Sequence, residues 1–450
     1  MLYIHVALFA ILISFSTTSA LHWQSITTPP ENTATTGGAV ACAQDLCYIT
    51  GGFSGGAPSN QVIVYNVTDK TSSIAIPMIT PRGGHSAVIV WSDENTYTVW
   101  VIAGQSSKQL GPAAQLPNAD VNDDPPGCGQ VGLPCPAWAS LSEVEFFDPL
   151  VGFWQSAPPY VCCTAQESCT DPPQVNCGTI QMDQGVSMLS CVTYKQEIWC
   201  FGGVTVIADG PDGDMEFSKL DVVGRLDTAN FFRNPPNSVY WNLTQEGTLT
   251  EMPMKILQHS VSVYGNNAYI NGGSCGTILG NCGTEYPIVP PEEEGHSRNL
   301  QDGGRRLQPP PEPFTCDDSK AMTSWASNNT WEFNFVNMTW TKLPDMRFGR
   351  CSHGTFVDSK NHLLYSVGGS FSVGEAGPEV EVLDLHNISN GWSRGPLLPQ
   401  GVQSFAMTTP TFFNSSKSAT NEGLIVIGPL GGDAWSQSEQ HTLVVGYEGD

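Results

Sequence analysis

Tyr365-Ser366-Val367-Gly368-Gly369, then Val380-Glu381-Val382-Leu383-Asp384, then Trp392 with Pro396 four residues later, is the stretch that decides the fold. Ser352-His353-Gly354-Thr355-Phe356-Val357 runs just ahead of it. Each segment is short, rich in β-branched and aromatic residues, and bounded by Gly, Pro or Asn, so four successive strands are predicted. The paired glycines permit positive φ and close backbone approach. Asp384 suits the first position of a tight turn.

The same order recurs along the chain. First strands are Gly84-His85-Ser86-Ala87-Val88-Ile89-Val90, Gly185-Val186-Ser187-Met188-Leu189 and His259-Ser260-Val261-Ser262-Val263-Tyr264. Second strands end on Gly51-Gly52, Ala103-Gly104, Gly202-Gly203, Gly272-Gly273 and Gly428. Third strands end on a bulky residue and Asn or Asp: Tyr65-Asn66, Phe147-Asp148, Trp241-Asn242 and Phe333-Asn334. Fourth strands open on Trp154 before Pro158 and Trp340 before Pro344, with Leu249 in the Trp place before Pro253. Four antiparallel strands repeated radially make propeller blades.

The order Gly-Gly, bulky-Asp/Asn, Trp, Arg/His resembles the kelch repeat, whose period is about 50 residues. It extends over nearly all of the chain after residue 20, and the chain is similar to the kelch and galactose-oxidase-like propeller superfamily. The resemblance implies an all-β, six-bladed kelch-type β-propeller over residues 21–450. Departures are local: Ala103-Gly104 in blade two, Gly428-Pro429 in blade six, and no Trp in blade one. Blade six runs out of chain after its third strand, while Trp23-Gln24-Ser25-Ile26 supplies a fourth strand from the other end. The N-terminal strand is therefore expected to close the ring and remove an open sheet edge.

The compartment is read from the ends of the composition. Leu2 to Phe15 is almost wholly apolar and is followed by small residues at Thr18 and Ala20, so residues 1–20 read as a secretory signal peptide. That run is too short to span a bilayer, and membrane insertion is not expected. Fourteen cysteines, an even number with no Cys-x-x-Cys zinc spacing, fit a secreted, oxidised chain. Asn66, Asn242, Asn328, Asn337, Asn387 and Asn414 head Asn-x-Ser/Thr sequons and are candidate glycosylation sites. A net charge of −25 argues against nucleic acid and anionic membranes as partners.

With strands A to D counted from the axis outward, B–C and D–A connections leave on one face, A–B and C–D on the other. Insertions at 105–140, 204–237 and 274–327 are read as B–C loops and 155–184 as a D–A loop, all on one face. Loops of that length are usually functional or disordered. Cys42–Cys47 and Cys191–Cys200 flank A–B hairpins, and Cys128–Cys135 and Cys275–Cys282 would close small loops on the insertion face. Pairing of Cys162, Cys163, Cys169, Cys177, Cys316 and Cys351 stays open. Most sequons fall on the opposite face.

Arg82, His85, His259, Arg347, Arg350 and His353 stand near the starts of inner strands on the insertion face and are candidate ligand-binding residues. The competing reading has them hydrogen-bonding neighbouring turn carbonyls, as most buried polar groups do. Asp209, Asp212, Asp214 and Glu216 miss the EF-hand spacing and read as a solvated acidic loop, so no metal site is assigned. Arg305-Arg306 reads as a flexible loop open to cleavage. Among enzymes of the resembled class, the galactose-oxidase type needs a Tyr-His pair, and no Tyr-His dipeptide occurs here. The expectation is an extracellular binding module for protein or glycan ligands, using the B–C/D–A face, with no cofactor and no assigned catalytic residue. The alternative is a carbohydrate-active enzyme of the kelch propeller class, mutarotase-like or divergent galactose-oxidase-like.

Overall fold

The computed structural model describes residues 37–54, 57–66, 68–69, 71–108, 137–160, 185–208, 215–233, 241–243, 251–275, 325–372, 375–398 and 401. It also describes the strands Leu21–Ile26, Ala406–Thr408, Leu424–Pro429 and His441–Glu448. The fold is an all-β propeller. Blade one is Ala39–Ala43, Leu46–Thr50, Val62–Asn66 and Thr71–Ile74. Blade two is Ser86–Trp91, Tyr97–Ile102, Val144–Asp148 and Phe153–Ala157. Blade three is Ser190–Tyr194, Glu197–Phe201, Val223–Asp227 and Asn242–Leu243. Blade four is Ser260–Tyr264, Asn267–Asn271, Thr330–Asn334 and Thr339–Leu343, and blade five is Gly354–Asp358, Leu363–Val367, Val380–Asp384 and Ser393–Arg394. All neighbouring strands are antiparallel.

Among the described residues the structure shows five propeller blades, each from one continuous stretch, against the six expected, the last of which was to be completed by the N-terminal strand. A further four-stranded sheet is composite, in the order Leu21–Ile26, His441–Glu448, Leu424–Pro429, Ala406–Thr408. Leu21 lies opposite Glu448 and Ile26 opposite Leu443. Local hairpins make the first five blades, whereas this sheet needs a strand from the other end of the chain. Its inner strand, Ala406–Thr408, touches the inner strands of blades one and five.

Blade three corrects the sequence reading. Its third strand is Val223–Asp227, not the segment ending Trp241-Asn242, which belongs to the outer strand. Leu226-Asp227 carries the bulky-Asp ending, and Asp227 Oδ1 accepts from the Asn230 amide at 2.9 Å. The expected insertion 204–237 thus divides in two. Residues 204–222 connect the second strand to the third, while the helix Thr228–Arg233 lies between the third and fourth strands. Trp241, rather than Leu249, holds the Trp place.

Trp241 also explains the Trp-x3-Pro spacing. Its Nε1 donates to the Pro158 carbonyl of blade two at 3.0 Å, and Trp392 Nε1 donates to the Pro344 carbonyl of blade four at 3.0 Å. Trp154 reaches the Ile76 carbonyl of blade one at 2.9 Å. Proline cannot donate from its backbone, but its carbonyl is a full acceptor. These three outer Trp residues thus pack into the core and tie their blades to the preceding ones, each bond worth about 1 kcal/mol beyond the burial, whereas Trp340 Nε1 has no hydrogen-bond partner among the described residues. The core lies between blades: Trp100, Phe146, Ile198, Leu226 and Trp241 share one cluster across blades two and three.

Two disulfides join the A–B hairpins, Cys42–Cys47 and Cys191–Cys200, each across directly opposed residues. Such bonds form in an oxidising compartment. Cys351 is half-buried and free of any disulfide among the described residues, and burial pushes its thiol up to about 11. The proposed signal segment, Asn414, Arg305-Arg306, Asp209, Asp212, Asp214 and Leu249 lie outside the described residues. So do the Cys128–Cys135 pair, Cys282, Cys162, Cys163, Cys169, Cys177 and Cys316. No helix among the described residues is long and apolar enough to cross a membrane.

Candidate functional site

Every continuous blade raises a two-stranded hairpin from its B–C connection. The hairpins are Phe53–Ser54 with Ala57–Pro58, Gln105–Lys108 with Ala137–Ser140, Val204–Ala208 with Met215–Lys219, Ser274–Cys275 with Trp325–Ala326, and Ser370–Ser372 with Glu375–Ala376. Three of the expected insertions therefore rise from paired stems. Neighbouring hairpins touch: Ala57–Pro58 meets Gln105–Lys108, Ala137–Ser140 meets Val204–Ala208, and Trp325–Ala326 meets Ser370–Ser372. The D–A loops join this tier through the bridges Gly83 to Gln105, Ser187 to Val204 and Cys351 to Ser370. B–C and D–A connections thus build one surface together.

Beneath that surface lie five of the six candidate residues. Arg82 is 0% exposed and its Nη2 contacts Glu145 Oε1 at 2.5 Å. Its Nη1 donates to the carbonyls of Ala103 at 2.9 Å and Glu143 at 2.8 Å. The Glu145 carboxylate also accepts from the backbone amides of Ile79 and Thr80. Arg350 repeats this arrangement in blade five. It is likewise 0% exposed, pairs with Glu381 Oε2 at 2.7 Å, and donates to the Gly368 and Glu379 carbonyls. Glu381 accepts from the Arg347 and Phe348 amides. Burial pulls both guanidinium groups below their ordinary range, and the facing glutamates oppose it. Turn carbonyls are the partners that the competing sequence reading required.

The histidines face the preceding blade. His85 Nε2 meets Thr50 Oγ1 at 2.9 Å, and Thr50 donates to the Ala39 carbonyl at 3.3 Å. His353 Nε2 meets Asn271 Oδ1 at 2.8 Å, an oxygen that also accepts from Thr355 at 2.6 Å. His259 faces Phe201, and no hydrogen bond of ordinary geometry reaches either of its ring nitrogens among the described residues. Burial holds His85 and His259 down at about 3, with Arg82 adding to the effect on His85. His353 is lowered by burial, then by Arg350 and His259. All three are neutral near neutral pH.

The Gly-Gly ends of the second strands make room for these rings. A Cβ on Gly272, at φ +63°, would stand 2.3 Å from His353 Cε1, and one on Gly51, at φ +55°, would stand 2.7 Å from His85 Cε1. Glycine is required there both for its φ and for the space. Arg347 alone of the six candidates is exposed. The sequence reading missed Glu145 and Glu381, although each follows the Val that opens a third strand, and it missed Thr50 and Asn271, which directly precede a Gly-Gly.

On the opposite face, Asn337 and Asn387 lie in C–D turns with exposed side chains, and Asn66 ends a third strand. Asn242 stands exposed on the outer strand of blade three. Asn328 borders the insertion hairpin of blade four. The chain matches no known protein family, and no curated protein is similar to it.

Proposed function

We propose that the chain is a secreted, N-glycosylated kelch-type propeller of six blades, with the composite sheet as the blade that closes the ring. In this reading it is an extracellular binding module whose B–C/D–A face takes a protein or glycan ligand. The carrying observation is the tier of hairpins, one per continuous blade, each touching a neighbour above a buried layer of Arg–Glu pairs and His. Binding residues are favoured on loops held by a rigid scaffold. Preorganised stems lower the ordering cost of association. Propeller folds host many functions, so the ligand class rests on this surface and not on the architecture.

Within that reading, Arg347 and the hairpin tips supply contacts, while Arg82, His85, His259, Arg350 and His353 fix the platform beneath. The test is a glycan-array and extracellular-protein screen with the purified chain. A variant in which the Val204–Lys219 hairpin is shortened to an Asn-Gly turn should lose the binding found, with its melting temperature held within a few degrees. Binding that survives this change, and the corresponding shortening of Gln105–Ser140, would move the ligand to another face.

A further inference from the structure

Three sequons lie wholly within the described residues: Asn328 to Thr330, Asn337 to Thr339, and Asn387 to Ser389. They occupy two different positions of the repeat. Asn337 and Asn387 are each the third residue after the turn residue that ends a third strand. Asn337 N–H donates to Asn334 Oδ1 at 3.1 Å, and Asn387 N–H to Asp384 Oδ1 at 3.2 Å. Asn387 Nδ2 also donates to Asp384 Oδ2 at 2.8 Å, a bond within its own exposed turn. Both asparagines are exposed, as are Thr339 and Ser389. The two turns belong to consecutive blades and point from the same face.

Asn328 sits elsewhere, where the B–C connection enters the third strand. Its carbonyl accepts from the Met346 amide at 2.8 Å, and its Nδ2 donates to the Met346 carbonyl at 3.1 Å. Blade one has the same clamp without a sequon: the Asn60 carbonyl accepts from Met78 N–H at 2.9 Å, and Asn60 Nδ2 donates to the Met78 carbonyl at 3.0 Å. Ser59 and Ser327 precede the two asparagines, and their hydroxyls accept from the amides of Gln61 and Asn329, both at 3.1 Å. Asparagine is thus explained here by the repeat alone. Thr330 is 0% exposed, and its hydroxyl has no hydrogen-bond partner.

We infer that Asn337 and Asn387 carry N-linked glycans at equivalent turns of adjacent blades, and that Asn328 stays bare in the folded protein because its half-buried amide clamps Met346 beyond its own turn and its sequon threonine is buried. The inference rests on the secretory reading above. In the transfer, Asn Nδ2 forms a bond to C1 of an oligosaccharide held on a lipid diphosphate. The C1–oxygen bond breaks, the lipid diphosphate leaves with the electron pair, and Nδ2 gives up one proton. At the exposed turns the product projects into water. At Asn328 it would wedge between the amide and Met346, so chains modified there would not complete blade four.

The test is glycopeptide mass spectrometry of the secreted, natively folded full chain after enzymatic deglycosylation in heavy-oxygen water. Heavy-oxygen aspartate is expected at positions 337 and 387, with unmodified Asn328. Thr330→Val destroys the Asn328 sequon but keeps its clamp, so it should migrate like the unaltered chain on a gel. Asn337→Gln and Asn387→Gln should each increase mobility by one glycan. A glycan found on Asn328, or a mobility gain in Thr330→Val, would overturn the inference. So would bare Asn337 and Asn387 beside occupied sequons elsewhere, which would leave the secretory reading intact. A chain with no glycan at any sequon would sink both.

Discussion

In blades two and five, the loop entering the blade supplies Arg82 or Arg350, and the third strand answers with Glu145 or Glu381. In blades three and four the same places hold Val186 with Gly224 and Ile256 with Trp331, as the strand registers show. The two positions change together. A buried Arg facing Gly, or a buried Glu facing Ile, would leave a charge without a partner, which costs far more than either combination seen. Where blade three has Gly224, Tyr160 fills the volume, since a Cβ there would stand 2.5 Å from its hydroxyl oxygen. One backbone frame therefore accepts two solutions for the same junction, one ionic and one apolar.

Breaking one partner of the ionic solution should give the largest effect. Arg350→Ala strands Glu381, which is 0% exposed, and should destabilise the fold by about 3–5 kcal/mol, read as a denaturant midpoint. The double change Arg350→Ile with Glu381→Trp imitates blade four and should recover most of that loss. If the single and double variants are equally unstable, the junctions are not interchangeable.

The next effect separates the histidine junctions. Thr50 serves His85 and Asn271 serves His353, whereas blade three presents Phe201 to His259. Asn271→Leu strips the partner from both His353 and Thr355 and should cost about 1–3 kcal/mol for each group left unsatisfied. Phe201→Leu, which alters no hydrogen bond to His259, should show only its packing loss by the same denaturant midpoints.

Acid sharpens the comparison. Each of these histidines has a folded pKa below its unfolded value of about 6.5. As pH falls through 6.5 the unfolded chain takes up protons that the folded chain cannot. Their contribution is therefore intact above that point and is lost towards about 3, where His85 and His259 protonate in the fold. At the junction of blades two and three, Leu189 stands where the others have His, in one cluster with Ile102 and Ala103. His259→Leu copies that junction. It should remove up to about 1.4 kcal/mol per pH unit from the acid slope of stability below pH 6.5. An unchanged slope in pH-dependent denaturant titrations would show that His259 is not held neutral.

Much of this was legible in the sequence, for reasons that are local. Gly-Gly ends, bulky-Asp turns and Trp-x3-Pro spacings each report contacts within a few residues, and they located four of the continuous blades. Blade three was misread because Trp241-Asn242 resembles a third-strand ending, while Val223-Gly224-Arg225-Leu226-Asp227 carries a glycine that weakens its strand pattern. That glycine answers to Tyr160, 64 positions earlier in a numbering that gives no hint of the contact. The Arg and His residues were found, but their burial was not. Partners such as Glu145 and Asn271 come from other strands, and only the folded registers bring them together.

The smallest expected effect belongs to the third Arg–Glu contact among the described residues, Arg225 with Glu197 in blade three. It resembles the other two in chemistry and differs in exposure, with side chains 39% and 20% accessible. Glu197 also accepts from Trp199 Nε1 at 3.1 Å, and the Arg225 guanidinium lies over the Trp199 ring at 5.3 Å. Water solvates both ions before and after any change, and salt screens their attraction, so such pairs contribute about 0–1 kcal/mol. Arg225→Ala should therefore fall within that range, and most of even this loss should come from the stacked contact with Trp199. Arg225→Leu separates the two terms, since it keeps apolar cover on the ring while removing the charge. Melts of both variants at low and high salt decide the matter. A loss at Arg225 as large as that at Arg350 would mean that burial does not set the strength of these pairs, and the contrast between the junction ions and the surface ion would collapse.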